Sequence, residues 1–159
     1  MEKLAQTLGE RLRSAGATLV TAESCTGGGV AEAVTSVAGS SDWFERGFVV
    51  YSNDAKRELL GVRPETLSQH GAVSEEAARE MARGALERSR GTLSLAVTGI
   101  AGPGGGSAGK PVGMVCFAWA GKAGFVRSET CHFRGDRRSV RRQSVLRALE
   151  GVLQALDGG

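Results

Sequence analysis

The chain of 159 residues carries 20 Lys and Arg against 17 Asp and Glu, a formal charge of +3. This length predicts one domain with a core large enough to fold alone, and the near-balance of charge argues against a disordered chain. Three cysteines without metal-ligand spacing (Cys25, Cys116 and Cys131), no secretory signal and no apolar run of about 18 residues argue against a secreted disulfide scaffold, a zinc protein and a membrane protein. We therefore expect reduced thiols, a cytoplasmic location and no membrane partner.

The first part of the chain predicts helices alternating with short strands. Leucines recur every fourth residue in 2–15, which indicates an amphipathic helix that ends before Gly16. The β-prone run 17–22 leads into three glycines at 27–29, after which apolar residues take helical spacing. A second strand is predicted at 47–51. Asn53 is the expected N-cap of a short helix that ends at glycine.

The second part continues the alternation and adds a hairpin. Ser74 is expected to open a strong helix, and 92–98 forms a third strand. The β-prone segments 112–118 and 125–133 flank a GKAG turn and predict an antiparallel pair. Asp136 is the expected cap of the last helix. This order of elements predicts an α/β domain with a mostly parallel, mixed sheet.

Ser24 is the first candidate for chemistry. It lies in TAESCTGGG (21–29), where a strand gives way to a glycine turn and a helix begins. Amides at a helix start can stabilise an oxyanion, and bare glycines let a substrate approach closely. Capping of the helix by Ser24 or Thr26 is the alternative, and the local pattern alone favours it.

A serine nucleophile needs a base, and the two histidines, His70 and His132, fall in a QHG turn and a strand. Lys56 is the other candidate. With Asn53 as N-cap it lies at N3, where the helix dipole disfavours a cation and so favours the neutral amine that a base must be. A solvent-facing Lys56 is the alternative. Tyr51, the only tyrosine, could relay a proton or orient Lys56, or it could pack in the core or at the sheet edge.

The glycine-rich loop 99–110 is the third candidate. It matches G-x-G-x-x-G and G-x-x-x-x-G-K formally, but Pro111 replaces the Ser or Thr of a P-loop, and a strand follows where both motifs need a helix. The Rossmann and P-loop interpretations therefore fail. What remains is either a set of bare amides suited to a phosphate or oxyanion, or a flexible surface loop.

Six arginines lie in 134–147, RGDRRSVRRQSVLR. Such a run could bind a small phosphate or nucleic acid, although a solvated helix face is its usual role. No aromatic residues are interleaved for base stacking, so nucleic acid is an unlikely partner.

Taken together and in this order, the segments TAESCTGG, GSSDWFERGFVVYSNDAKRELLGV, GAVSEEAAREMARGAL, VTGIAGPGGG, KPVG and GDRRSVRR resemble the CinA C-terminal-domain family over about residues 4–153. The resemblance implies a three-layer α/β/α sandwich. It also implies a stand-alone amidase that hydrolyses nicotinamide mononucleotide (NMN) to nicotinate mononucleotide and ammonia.

The family's Ser-Lys machinery carries over to Ser24 as nucleophile and to Lys56 and Tyr51 of YSN-x-x-K. The resemblance further implies a homo-oligomer, with a dimer favoured, and neither metal nor cofactor. The competing hypothesis is a non-enzymatic nucleotide-binding or DNA-uptake accessory module, since the family is associated with competence. The positions expected to contact substrate are Thr26, Gly27, Gly28, Ser41, Thr98, Gly99, Gly102, Gly104, Gly105, Arg141 and Arg142. Some relatives carry Asp where this chain has Gly104.

Overall fold

A single five-stranded sheet forms the centre of the computed structural model, which describes residues 1–158. The strands are β1 Leu19–Glu23, β2 Phe44–Val49, β3 Leu93–Gly99, β4 Met114–Gly121 and β5 Val126–His132. Their order is β2-β1-β3-β4-β5. β1 pairs in parallel with β2 and β3, whereas β4 is antiparallel to β3 and β5, so β4 alone runs against the others. The predicted mixed, mostly parallel sheet is confirmed.

Helices cover both faces of the sheet. They are α1 Glu2–Ala15, α2 Gly29–Thr35, α3 Asn53–Leu60, α4 Pro64–His70, α5 Glu75–Glu87 and α6 Arg137–Gly158. On one face, α1, α2 and α6 pack against one another, and α3 and α4 pack against α5 on the other. This arrangement confirms the three-layer sandwich. No helix among residues 1–158 combines the length and apolar character needed to cross a membrane.

The strands alternate large and small side chains between the two layers. Leu95, Phe117 and Trp119 point toward α1, α2 and α6, whereas Ala96 and Ala118 point toward α5. Because successive side chains of a strand face opposite sides, this alternation gives one bulky core and one thin core. The thin core lets α5 lie close to the sheet.

Close approach of α5 to α3 depends on one glycine. A Cβ at Gly84 of α5 would lie 1.9 Å from the carbonyl oxygen of Leu60, the last residue of α3. No other residue could occupy that position without displacing one of the helices. Since α3 carries Lys56, this contact helps to place that side chain over the end of the sheet.

Several predicted boundaries were wrong. β1 starts at Leu19 rather than residue 17, and β2 spans Phe44–Val49 rather than 47–51, because its pairing begins where Leu19 meets Phe44. The sequence reasoning also missed α4, whose last residue is His70 rather than part of a turn. Pro64 starts this helix at N1, where its fixed φ is favourable. Seven residues are too few to show a periodic apolar stripe.

Candidate active site

Ser24 follows directly on the carboxyl end of β1, and the sheet holds it in place. Its amide donates to the Val97 carbonyl of β3 at 3.0 Å, and its own carbonyl accepts from the Gly27 amide at 3.1 Å. Gly27 and Gly28 take φ values of 58° and 99°, which L side chains rarely adopt, so the tight turn requires glycine here. Gly28, not Ser24 or Thr26, is the N-cap of α2. Capping of α2 therefore does not explain why a serine lies at position 24.

Lys56 reaches Ser24 from α3. Its Nζ lies 2.9 Å from Ser24 Oγ, 2.9 Å from the Val50 carbonyl oxygen and 3.1 Å from the Tyr51 carbonyl oxygen. The side chain is 1% exposed, so the solvent-facing alternative is wrong. Ser52 rather than Asn53 caps α3, through a 3.0 Å hydrogen bond from the Ala55 amide to its Oγ. Lys56 is therefore the fourth helical residue, one position later than predicted.

Burial lowers the pKa of Lys56 from its ordinary value of 10.5. A charged Cys25 thiolate beside it would oppose this shift. Burial, however, raises the pKa of the Cys25 thiol to about 12, so this group is uncharged at neutral pH. A neutral lysine has two N–H groups and one lone pair. Two of its three neighbours are carbonyl oxygens that can only accept, which leaves the lone pair for the Ser24 hydroxyl.

Tyr51 contacts Lys56 through its main chain only. Its hydroxyl lies 3.3 Å from an Arg137 guanidinium nitrogen, which donates to it. Among residues 1–158, this hydroxyl makes no hydrogen bond to Ser24 or Lys56, so the geometry does not support the predicted proton relay. The carbonyl oxygen of Tyr51 accepts from Lys56 Nζ, a main-chain contact that does not depend on the tyrosine side chain. The side chain is 64% exposed, which excludes a core role.

A cavity of about 170 Å³ opens over Ser24 and Lys56. A larger groove of about 810 Å³ adjoins it and shares Ala101 and Arg137 with it. Arg138 and Arg141 also line this groove. The smaller cavity is lined by Ser24, Cys25, Tyr51, Asn53, Lys56, Ala72, Val73, Thr98, Gly99, Ala101 and Arg137. None of these residues is an aspartate or glutamate.

The glycine-rich loop contributes only its first residues to the cavity. Thr98 and Gly99 line it, but the Thr98 hydroxyl donates to the Ala72 carbonyl at 2.9 Å and so serves the fold. Gly102 carbonyl oxygen accepts from Arg137 at 2.8 Å, which ties the loop to α6. Gly104 and Gly105 are exposed and lie outside the cavity lining.

Other predicted substrate contacts have different surroundings. Thr26 is buried and donates to the Glu23 carboxylate at 2.6 Å. Arg141 donates to the carbonyls of Cys25 at 3.1 Å and Thr26 at 3.3 Å, so it braces the turn from outside. Arg142 is exposed and lines neither the cavity nor the groove.

Three further candidates lie away from the cavity. Ser41 sits in a short 3-10 turn before β2, at the end of the sheet opposite Ser24. His70 and His132 are exposed residues at the ends of α4 and β5, and neither lines the cavity. Within residues 1–158, no group of three or more His, Cys, Asp or Glu is arranged to hold a metal ion.

Sequence reasoning missed Glu23, the residue before Ser24. Its fully buried carboxylate accepts from the amides of Val30 at 2.8 Å and Ala31 at 3.0 Å, as well as from Thr26. These amides are the otherwise unpaired donors of the first turn of α2. Glu23 thus supplies the side-chain cap that Gly28 lacks. An acidic residue at the end of a strand, before a helix without a capping side chain, is the signal that could have found it.

Known proteins match this chain along nearly its whole length. The model of the CinA C-terminal domain family matches residues 1–156. The nicotinamide-nucleotide amidohydrolase PncC of Escherichia coli (strain K12) is 53% identical over 152 residues, which cover 96% of this chain and 92% of the relative. A protein of the same name from Pseudomonas putida is 54% identical over 151 residues, covering 95% and 94%.

Solved structures agree with the fold. The competence/damage inducible protein CihA from Agrobacterium tumefaciens superposes with a TM-score of 0.95 at 50% identity, covering 98% of this chain and 94% of that one. A CinA superfamily protein from Klebsiella pneumoniae gives the same TM-score at 37% identity, covering 99% and 98%. These matches confirm the resemblance inferred from the motifs: the chain belongs to the CinA C-terminal domain family.

Proposed function

We propose that this chain hydrolyses the carboxamide of NMN to nicotinate mononucleotide and ammonia. Relatives 53% and 54% identical over nearly the whole chain are named nicotinamide-nucleotide amidohydrolase. The observation that carries the proposal is the 2.9 Å contact between Lys56 Nζ and Ser24 Oγ at the floor of a cavity. A buried lysine within hydrogen-bond distance of a serine can act as the base that activates that serine as a nucleophile.

The first half of the reaction forms an acyl-enzyme. Neutral Lys56 takes the proton of Ser24 Oγ as that oxygen attacks the carboxamide carbon. Two N–H groups of Lys56 remain on the carbonyls of Val50 and Tyr51, which hold the lone pair toward Ser24. Lys56 then gives its proton to the departing ammonia. A water molecule, deprotonated by the same amine, hydrolyses the ester to nicotinate mononucleotide and restores Ser24.

Main-chain amides of the turn supply the oxyanion site in this scheme. The amides of Cys25 and Thr26 donate to no carbonyl or side-chain oxygen of another residue within the described chain, 1–158. An amide directly after the nucleophile is the usual oxyanion donor where a strand turns into a helix. The pyridinium ring of the substrate withdraws electrons from the carboxamide and activates it further. The scheme draws on side chains and amides alone and includes neither metal nor cofactor.

The two adjoining cavities match the two parts of a nucleotide. A volume of about 170 Å³ is below the roughly 300–1,000 Å³ of drug-sized sites and suits one ring with its carboxamide. The groove beside it, which Asp136 also lines, offers the guanidinium groups of Arg137 and Arg138 for a phosphate. Arg137 lines both cavities, so the ribose phosphate of a substrate whose ring lies in the smaller cavity would extend past Arg137 into the groove.

Ammonia release from NMN by the purified protein tests the proposal. Ammonia is measured with a coupled glutamate dehydrogenase assay and nicotinate mononucleotide by chromatography. We expect one of each per NMN consumed by the wild-type protein, and release slower by about 10³-fold or more from Ser24→Ala. Binding of NMN or DNA without release of ammonia would contradict the amidase proposal and favour the accessory-module hypothesis.

A further inference from the structure

We propose that the aromatic ring of Tyr51 recognises the positive charge of the substrate's pyridinium ring and is thereby a specificity-determining residue. The inference rests on the proposed function. Tyr51 is the only tyrosine of the chain. Its side chain lines the cavity above Ser24 and is largely exposed, so the ring is accessible to a bound substrate.

The charge of the cavity lining is the first observation that supports the proposal. Its lining holds two basic side chains, Lys56 and Arg137, and no carboxylate. A pyridinium ring bound there would have no anionic protein group to offset its charge. The face of a tyrosine ring attracts a cation through its quadrupole. Tyr51 is the one aromatic side chain in the lining.

Three main-chain carbonyl oxygens around the cavity already accept hydrogen bonds from its two basic side chains. Those of Val50 and Tyr51 accept from Lys56, and that of Gly102 accepts from Arg137. They are therefore engaged before a substrate arrives. The π face of Tyr51 offers an electron-rich surface in the lining that these hydrogen bonds do not occupy.

Two contacts divide the functions of Tyr51 between main chain and side chain. The carbonyl holds Lys56, and the hydroxyl accepts from Arg137 at 3.3 Å, which tethers the ring at the mouth of the cavity. Substitution of the side chain leaves the carbonyl that holds Lys56 in place. The recognition of charge can therefore be tested without removing the base.

The test compares two ligands of the same shape and different ring charge. Dissociation constants are measured by calorimetry for NMN and for reduced NMN, whose dihydropyridine ring is neutral. Each ligand is titrated into three proteins that all carry Ser24→Ala, so that NMN is not appreciably consumed during the titration. One of them keeps Tyr51, and the other two carry Tyr51→Phe or Tyr51→Leu. We expect Tyr51→Leu to weaken NMN binding by about 3- to 30-fold and to leave reduced NMN within about twofold. Tyr51→Phe should keep the dissociation constant of NMN within about threefold of the value for the protein with Tyr51.

Turnover separates recognition from proton transfer. In the chain with Ser24 restored, a phenolic relay would lower kcat about equally in Tyr51→Phe and Tyr51→Leu, whereas recognition of charge by the ring should raise KM for NMN mainly in Tyr51→Leu. Leu59→Ala, which alters an exposed apolar residue outside the cavity, is the control and should leave the dissociation constants of both ligands unchanged. Equal weakening of both ligands in Tyr51→Leu would overturn the proposal. Charge-selective binding without ammonia release would instead refute the amidase and leave the recognition of charge in place.

Discussion

Lys56 Nζ lies 2.9 Å from Ser24 Oγ, although the two residues are 32 positions apart in the chain. Each comes from the carboxyl end of a neighbouring parallel strand: Ser24 follows β1, and α3 follows β2. In an open α/β sheet this is the edge where ligands bind. The pairing of β1 with β2 therefore brings Ser24 and Lys56 together.

Ser24→Ala removes the attacking oxygen and should lower kcat for NMN by about 10³-fold or more. The serine is nearly buried and small, so the fold should be retained, as circular dichroism would show. Ser41→Ala is the matched control, because Ser41 lies at the opposite end of β2 and should be dispensable. Near-normal deamidation by Ser24→Ala would refute its role as nucleophile.

The pH dependence of kcat/KM tests Lys56 as a neutral base. Only the deprotonated amine can accept the Ser24 proton, so kcat/KM should rise with pH and level off above the pKa of Lys56 in the free enzyme. Because burial lowers that pKa, the inflection should lie below 10.5. Lys56→Arg keeps the charge but cannot deprotonate, and it should lose about as much activity as Ser24→Ala. The two losses should not add in the double variant. An active Lys56→Arg protein with the wild-type pH profile would remove Lys56 as the base.

The same lowered pKa predicts how stability changes with pH. The unfolded chain binds a proton at Lys56 more tightly than the folded chain, so the free energy of unfolding should rise with pH between the lowered pKa and about 10.5. Lys56→Met should lose this dependence, and Ser24→Ala, which keeps the lysine, should retain it. Urea unfolding at a series of pH values measures the difference. Parallel pH curves for wild type and Lys56→Met would contradict a lowered pKa.

Most elements were predictable from the sequence because their signals are local, whereas the local pattern at Ser24 favoured a helix cap, and only the resemblance to the family singled out Ser24 together with Lys56. Ser24 sits before three glycines, and Lys56 follows a strand at the start of a helix. The contact between them was not predictable from spacing. It depends on the parallel pairing of β1 with β2 and on the approach of α5 to α3 at Gly84.

The role of each arginine depends on tertiary contacts that no local pattern encodes. Arg137, Arg141 and Arg142 look alike in the sequence, yet α6 directs Arg137 into the cavity, Arg141 onto the turn and Arg142 to solvent. A periodicity argument places side chains on a helix face but does not say which neighbour they meet. Glu23 was overlooked because acidic residues are seldom buried without a charged partner.

The three arginines should behave differently toward NMN and its phosphate-free riboside. Arg137→Ala should raise KM for NMN about 10- to 100-fold and affect the riboside much less, since a charge-assisted contact to phosphate is lost. Arg141→Ala should lower kcat for both substrates alike, because it braces the carbonyls of Cys25 and Thr26 beside the nucleophile. Arg142→Ala is the control. Equal effects of Arg137→Ala on both substrates would remove Arg137 from phosphate recognition.

Glu23→Gln should destabilise the protein and impair the nucleophile. The glutamine side chain has the same size, but only one of its two polar atoms accepts hydrogen bonds. If its oxygen keeps the hydrogen bonds from the Thr26 hydroxyl and the Val30 amide, its NH₂ group faces the Ala31 amide, and two donors then oppose each other. Leaving a buried donor unpaired costs about 1–3 kcal/mol, and α2 also loses a negative charge at its positive end.

This cost should lower Tm by about 2–12 °C in a chain of this size, as measured by calorimetry. It should also reduce kcat, because the turn between Glu23 and Gly28 carries Ser24. Glu32→Gln is the matched control: it removes a carboxylate from the first turn of the same helix, but that carboxylate is exposed. The control should change stability by less than about 0.5 kcal/mol. If the two variants unfolded at the same temperature, the carboxylate of Glu23 would have no special role in holding the turn, and the placement of Ser24 would depend on β1 and the two glycines alone.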